Sequence, residues 1–201
     1  MAPDPQYGAQ TCASVETQTN LIEKTLSAGV VALLWVLLFA LNQWAFSVTE
    51  VSAFISWIFL PAAVRMLAVM ACDWVGAVGL FAGAMLTNQT DPTGGFGDGM
   101  VLAFLSATGP LVAFWFCTKL LKLSTDLSGL TARQLLVFAT VGALLNAVPH
   151  NIYFYLSGRM GSPFAGVLPM FFGDLLGTLV TLYAVSLALR LVLKRSPSAR
   201  A

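Results

Sequence analysis

Charged side chains are scarce in this chain. Only 9% of its 201 residues are Asp, Glu, Lys or Arg, and 58% are hydrophobic, whereas a soluble globular domain carries about 25% charged residues. A soluble fold would leave much of this apolar surface in water. The scarcity therefore excludes a soluble domain, leaves too few basic residues for a nucleic-acid-binding patch, and favours a protein whose main partner is a lipid bilayer.

Metal-binding residues are equally rare. The chain has one His and three Cys, so metal sites built on several histidines are excluded, and the spacing of Cys12, Cys72 and Cys117 matches no metal-site pattern. The topology described below puts these thiols at or near the cytoplasmic face, where they stay reduced. We predict no metal, no cofactor and no disulfide.

Enzyme motifs are missing too. The sequence contains neither a Gly-x-Ser-x-Gly nucleophile elbow nor a phosphate-binding loop. A hydrolase acting within the membrane through Ser106, His150 and Asp174 is an alternative that the sequence leaves open. The prediction is nevertheless a protein without catalytic residues.

The polar N-terminus lacks the basic region and the cleavage site of a secretory signal. We interpret residues 1–25 as a retained, loosely ordered tail, residues 26–194 as one membrane domain, and residues 195–201 as a short basic tail. The membrane domain has no room for a separate soluble domain, because each span uses roughly 20 apolar residues.

Long apolar runs indicate the architecture. They are continuous rather than alternating, which favours helices over a β-barrel. The prediction is an all-α integral membrane protein with about six transmembrane helices in one bundle. The predicted spans cover residues 26–46, 51–72, 75–86, 100–121, 131–155 and 163–193.

Proline and glycine mark the second and third spans. Pro61 removes a backbone donor and predicts a break in the second helix. Gly76, Gly79 and Gly83 lie on one side of the short third helix, and such spacing allows helices to approach closely in lipid. We expect these glycines to serve packing.

Basic residues predict the orientation, because cytoplasmic segments carry the excess of Lys and Arg. With six spans and both termini in the cytoplasm, eight of the ten basic residues lie inside. Arg159 would then lie outside and Arg65 within the membrane. The eight are Lys24, Lys119, Lys122, Arg133, Arg190, Lys194, Arg195 and Arg200.

Several polar residues fall within the predicted spans, where a charge such as that of Arg65 costs several kcal/mol unless it is paired or reaches the interface. Counting 1.5 Å per residue places His150 about 25 Å from Arg133 and Asp174 about 24 Å from Arg190. Arg65 falls about 10 Å below that level. A direct pair with Asp174 then requires a shift in register or a helix tilt.

Two interpretations of these residues remain open. In one, Arg65 reaches toward the inner interface while Asp174 and His150 are satisfied locally. In the other, an outward-opening cavity binds a small polar or anionic ligand. That cavity would have Arg65 at its floor and be lined by Asn146, His150, Tyr153, Asp174 and Thr178.

Several segments resemble the first type of membrane-associated sensor domain, the MASE group. They are Leu60-Pro-Ala-Ala-Val-Arg, Asp73-Trp-Val-Gly-Ala-Val-Gly, Leu130-Thr-Ala-Arg-Gln and Phe172-Gly-Asp-Leu-Leu-Gly. The resemblance implies a sensory domain of a bacterial inner membrane. Such domains usually have more helices and precede a cyclase or kinase, whereas this chain stops at Ala201, so the expectation is a sensor that signals to a separate membrane or cytoplasmic protein.

Two other functions remain open. In length, helix number and internal termini the chain is similar to the substrate-binding components of energy-coupling-factor vitamin transporters. Those components dock through Ala-x-x-x-Ala on the first helix, a spacing that Ala28 and Ala32 fit. The other alternative is a non-catalytic subunit that scaffolds a larger membrane complex through its small-residue faces.

Overall fold

The protein is an all-helical bundle. The computed structural model describes residues 5–52, 55–88, 95–120 and 131–195. Within these ranges, five helices contain segments long and apolar enough to cross a membrane. The helices are α1 (Pro5–Phe46), α2 (Ala62–Asn88), α3 (Phe96–Leu120), α4 (Ala132–Leu156) and α5 (Val167–Arg195). The predicted all-α membrane architecture is confirmed at this level.

The first helix is longer than its apolar run. Residues 5–25, expected to be a loosely ordered tail, belong to the same continuous helix as residues 26–46. A helix of 42 residues is about 63 Å long, roughly twice the hydrocarbon thickness of a bilayer. The polar half of α1 therefore projects beyond the apolar layer.

The prediction of helix is wrong for residues 51–52 and 55–60. A 3₁₀ turn (Ser47–Thr49) follows α1, then β1 (Glu50–Ser52) and β2 (Ile55–Ser56) form a short antiparallel pair. The chain stays irregular until Pro61, and α2 begins at the next residue. Proline is tolerated at the start of a helix because the N–H groups there have no acceptor within the helix, so its missing N–H costs no hydrogen bond. Pro61 therefore starts a helix and does not break one.

Helix α2 is interrupted at Asp73, the boundary expected between the second and third spans. This residue has φ 49° and ψ −131°, close to the first central position of a type II′ turn. A Cβ built on Gly76 would lie 2.1 Å from the carbonyl oxygen of Ala68, although eight residues of straight helix span about 12 Å. The chain therefore folds back, and we call residues 62–72 the first arm of α2 and residues 74–88 the second arm.

Glycines allow the second arm to pack against α1. A Cβ on Gly79 would lie 2.5 Å from the carbonyl oxygen of Ala28, and one on Gly83 would lie 2.8 Å from Cβ of Trp35. Any side chain at these positions would push the helices apart. The predicted packing role of the glycines is confirmed.

The three groups of buried apolar residues lie between neighbouring helices. The first joins α1, both arms of α2 and α3; the second joins α2, α3 and α4; the third joins β2, α3, α4 and α5. Large apolar side chains such as Trp115 and Leu168 point outward and are exposed. Outward-facing apolar surface of this extent is typical of contact with lipid.

Candidate functional site

The irregular segment before α2 packs directly on α5. A Cβ on Gly173 would lie 2.0 Å from the carbonyl oxygen of Ser56, and one on Gly177 would lie 2.0 Å from that of Phe59. The two glycines are one helical turn apart and form a groove for the extended backbone. This contact gives a physical reason for the Gly-Asp-x-x-Gly pattern, since Asp174 is carried beside the groove.

Hydrogen bonds cover the polar backbone of this segment. The N–H of Phe59 donates to the carbonyl of Gly173 at 3.0 Å, and the N–H of Leu60 donates to Oδ1 of Asn42 at 2.9 Å. The hydroxyl of Thr181 donates to the carbonyl of Leu60 at 3.4 Å. Irregular backbone at membrane depth requires such cover, because unsatisfied groups there cost several kcal/mol each.

Arg65 and Asp174 form a direct ion pair. A guanidinium nitrogen of Arg65 lies 2.8 Å from Oδ2 of Asp174, and the two residues are 6% and 3% exposed. The sequence-based depth estimate is therefore wrong by about 10 Å.

The ion pair belongs to a polar network that crosses the bundle. Nδ2 of Asn146 donates to Oδ2 of Asp174 at 2.6 Å. Nδ1 of His150 lies 2.8 Å from the backbone oxygen of Asn146, and Nε2 lies 3.3 Å from the hydroxyl of Ser106. All these side chains are buried. Helices α2, α3, α4 and α5 each contribute at least one of them.

The contacts of His150 and Asp174 differ from those of a hydrolase. In a catalytic triad the carboxylate bonds the histidine that activates the serine. Here the carboxylate of Asp174 bonds Arg65 and Asn146, and a backbone oxygen takes the place next to Nδ1 of His150. Ser106 and His150 are neighbours, but Asp174 does not hydrogen-bond His150 as the acid of a triad would.

Two aromatic rings enclose the guanidinium group. Its carbon lies 5.2 Å from the ring centroid of Trp35 and 5.1 Å from that of Phe59, distances at which cation–π attraction operates. The indole N–H of Trp35 donates to the hydroxyl of Thr87 at 3.0 Å. Sequence reasoning missed Trp35 and Asn42. Their spacing of seven residues places both on one face of α1, and a polar Asn in an apolar run was the available signal.

Small spaces flank Arg65 on two sides, each about 20 Å³, which is room for roughly one water molecule. One reaches Asp174 and Thr178, and the other reaches Ser106 and His150. Nε of Arg65, Oδ1 of Asp174 and Oδ1 of Asn146 are buried and have no hydrogen-bond partner among the residues that the structure describes. The network therefore has unused donor and acceptor capacity around these spaces.

Five of the six predicted site residues lie together. Arg65, Asn146, His150 and Asp174 form the network, and Thr178 lines one of its spaces. These spaces replace the single outward-opening cavity expected from the sequence. They are far smaller than the roughly 300–1,000 Å³ of a typical small-molecule pocket.

Tyr153 belongs to a different cluster. Its hydroxyl donates to Oδ1 of Asp98, and a guanidinium nitrogen of Arg159 lies 3.0 Å from Oδ2 of the same carboxylate. This partly buried cluster ties the start of α3 to the end of α4. Sequence reasoning missed it because Asp98 lies outside the predicted spans.

The proposed docking motif on α1 faces the bundle at one of its two positions. The carbonyl of Ala28 is covered by Gly79, as described above, and the side chains of both Ala28 and Ala32 are partly exposed. The docking role of this pair stays a prediction.

Comparisons with known proteins add no relative to these observations. The resemblances to the MASE group and to vitamin transporter components stay predictions from the residues themselves. No protein-family model, curated protein or solved structure matches the chain.

Proposed function

We propose that this protein is a polytopic membrane sensor or binding module in which a small polar or anionic ligand acts on the Arg65–Asp174 pair. The observation that carries the proposal is the unused hydrogen-bonding capacity of that pair. Nε of Arg65 and Oδ1 of Asp174 are buried and unpartnered beside small spaces. Ionisable groups within the membrane are costly, and they commonly mark ligand, ion or proton sites.

The chemistry of the site favours a small anion. A carboxylate or phosphate oxygen can accept hydrogen bonds from the same guanidinium group that now serves Asp174. Because the existing spaces have room for about one water each, a larger ligand requires Arg65 or the neighbouring segment 55–61 to move. The site is therefore an equilibrium between a closed ion pair and an opened, ligand-bound arrangement.

The packing of segment 55–61 supplies a route for the signal. Phe59 contacts the guanidinium group, and its backbone is held against Gly173 and Gly177 of α5. Asp174 lies on the same turn of α5 as these glycines. Loss of the ion pair would change how segment 55–61 packs against α5. Helix α5 would transmit that change to a membrane or cytoplasmic protein partner.

The proposed topology has six crossings with both termini in the cytoplasm of a bacterial cell. Asn42 contacts Leu60 near the end of α1, while Leu26, at the start of the apolar run of α1, lines one groove with Cys72. The segment 55–72 thus runs antiparallel to α1. Gly79 meets Val31 and Gly83 meets Trp35, so the second arm runs parallel to α1. The two directions support counting segment 55–72 and the second arm as separate crossings.

A ligand titration in lipid nanodiscs tests the proposed site. Thermal unfolding is measured with formate, acetate, phosphate and chloride at constant ionic strength, because binding to the folded state alone raises stability by about 2.7 kcal/mol at 100 Kd. The wild type should be stabilised by at least one anion. Arg65→Lys, which keeps the charge but loses the planar fork, should lose most of that response.

Arg159→Gln is the matched control. It removes a cation from the cluster around Asp98, outside the proposed site, and should keep the anion response. A response that survives in Arg65→Lys but disappears in Arg159→Gln would move the ligand to that cluster. Absence of any anion response in the wild type would contradict the proposal.

A scaffold subunit is the second candidate, favoured by the tightly filled interior around Arg65. Native mass analysis of gently solubilised protein separates the candidates, because it reports ligand and partner together. A cyclase or kinase partner would support the sensor. An ATPase pair with a bound vitamin-like compound would support the transporter component, and a large complex without ligand would support the scaffold.

A further inference from the structure

A second cavity lies at the opposite end of the bundle from segment 55–61, where the two arms of α2 meet. Its volume is about 550 Å³, within the range of small-molecule sites. The charged residues of its lining are Glu23, Lys24 and Asp73, and the aromatic ones are Trp74 and Phe114. None of them belongs to the Arg65–Asp174 network, so this cavity is independent of the proposed sensory site.

The cavity presents groups of both charges beside an indole ring. Nζ of Lys24 lies 5.8 Å from the ring centroid of Trp74, and the indole is 57% exposed. The carboxylates of Glu23 and Asp73 form no ion pair with any cation in the described part of the chain. A positive φ at a residue other than glycine is strained, and here it holds Asp73 at the cavity.

An apolar groove of about 410 Å³ continues from this cavity. Ser27, Ala71 and Cys72 line both spaces. The groove then runs between α1 and the first arm of α2 to Leu34 and Val64, which lie about 12 Å of helix from the residues at the charged end. The charged cavity and the apolar groove together suit a molecule with a polar headgroup and a hydrocarbon tail.

We propose that the cavity and groove together bind one phospholipid with a primary amine in its headgroup, of the phosphatidylethanolamine type. Lys24 donates to the phosphate, Glu23 and Asp73 accept hydrogen bonds from the ammonium, and an acyl chain occupies the groove. Trp74 is exposed beside these charges, as suits an indole among headgroups, where tryptophan is enriched. A headgroup with phosphate alone would meet two unpaired carboxylates, and a quaternary amine has no N–H to donate to them.

Native mass spectrometry measures the preference directly. The protein is exchanged into mixtures of equal amounts of phosphatidylethanolamine, phosphatidylcholine and phosphatidylglycerol, and the retained lipid is counted. We expect one phosphatidylethanolamine per protein. Lys24→Gln should weaken retention of all three lipids. Glu23→Gln and Asp73→Asn should each weaken phosphatidylethanolamine selectively, by about two- to fivefold, the range for an exposed ion pair.

The variants are chosen to fold. Asn tolerates a positive φ about as well as Asp, and Glu23 lies on an exposed part of α1. Lys119→Gln, at an exposed position near the end of α3, is the charge-matched control and should retain lipid like the wild type. Equal retention of the three lipids, or an unchanged preference in both carboxylate variants, would overturn the proposal. Binding of soluble phosphoethanolamine as tightly as the lipid would also overturn it, because the groove would then contribute nothing.

Discussion

Removing one member of the Arg65–Asp174 pair should be far more damaging than neutralising both. At the observed separation of 2.8 Å and an effective dielectric constant of 20, the attraction is about 6 kcal/mol, opposed by the cost of desolvating both ions. Breaking a buried pair typically costs about 3–5 kcal/mol, because the remaining charge stays buried without its partner. We expect Arg65→Met and Asp174→Asn each to lose stability in this range.

The double variant should recover much of that loss. Met fills the space between Trp35 and Phe59 with a thioether that packs well against aromatic rings, and the amide oxygen of Asn at position 174 can still accept from Asn146. Replacement of buried ion pairs by neutral residues is often neutral or stabilising. The free-energy loss of the double variant should therefore be smaller than the sum of the two single losses by at least about 2 kcal/mol.

Reversible unfolding in mixed detergent micelles measures the four free energies. The partly exposed pair between Arg159 and Asp98 is the internal control, with Arg159→Gln, Asp98→Asn and the double variant. Coupling there should stay within about 1 kcal/mol. If the losses at Arg65 and Asp174 were each below about 1 kcal/mol and additive, the pair would not be a buried ion pair and the reasoning would fail.

Four further variants test the packing and backbone geometry of the bundle. Gly177→Ala should lose about 1–3 kcal/mol of unfolding free energy because its Cβ would collide with the backbone of Phe59. Gly29→Ala is the control, because the space around Gly29 is open. It should gain up to about 1 kcal/mol in the same unfolding assay. Asp73→Gly should raise the melting temperature by relieving about 1–3 kcal/mol of backbone strain; a lower melting temperature would contradict the turn geometry. Asn42→Leu should cost about 1–3 kcal/mol by leaving a buried N–H unbonded, and hydrogen exchange in segment 55–61 should accelerate.

The membrane fold could be predicted from the sequence because apolar length is a direct physical requirement of a bilayer. The conformation of residues 55–60 could not, since their apolar composition suits either a helix or a buried extended segment. Hydrogen-bond partners distant in the chain decide between the helix and the extended conformation. The carbonyl of Gly173 and the side chain of Asn42 take the hydrogen bonds that a helix would have supplied internally.

The candidate site was partly predictable for the same reason. Charged and amide residues in apolar runs identified Arg65, Asn146, His150 and Asp174, and helical spacing grouped them by face. The depth of each residue required the fold, because the reversal at Asp73 and the length of α5 set heights that residue counting does not give. Tyr153 was assigned to the wrong cluster, since its partner Asp98 precedes it by 55 residues.

The central claim is that a small anion competes with Asp174 for Arg65 inside the membrane. Solid-state NMR can measure the distance from the guanidinium nitrogens of Arg65 to the carboxyl carbon of Asp174 in lipid bilayers, with and without the anion that stabilises the protein. The account predicts hydrogen-bonding contact without the anion and a longer distance with it. A distance that is already long without the anion, or one that the stabilising anion leaves unchanged, would contradict it.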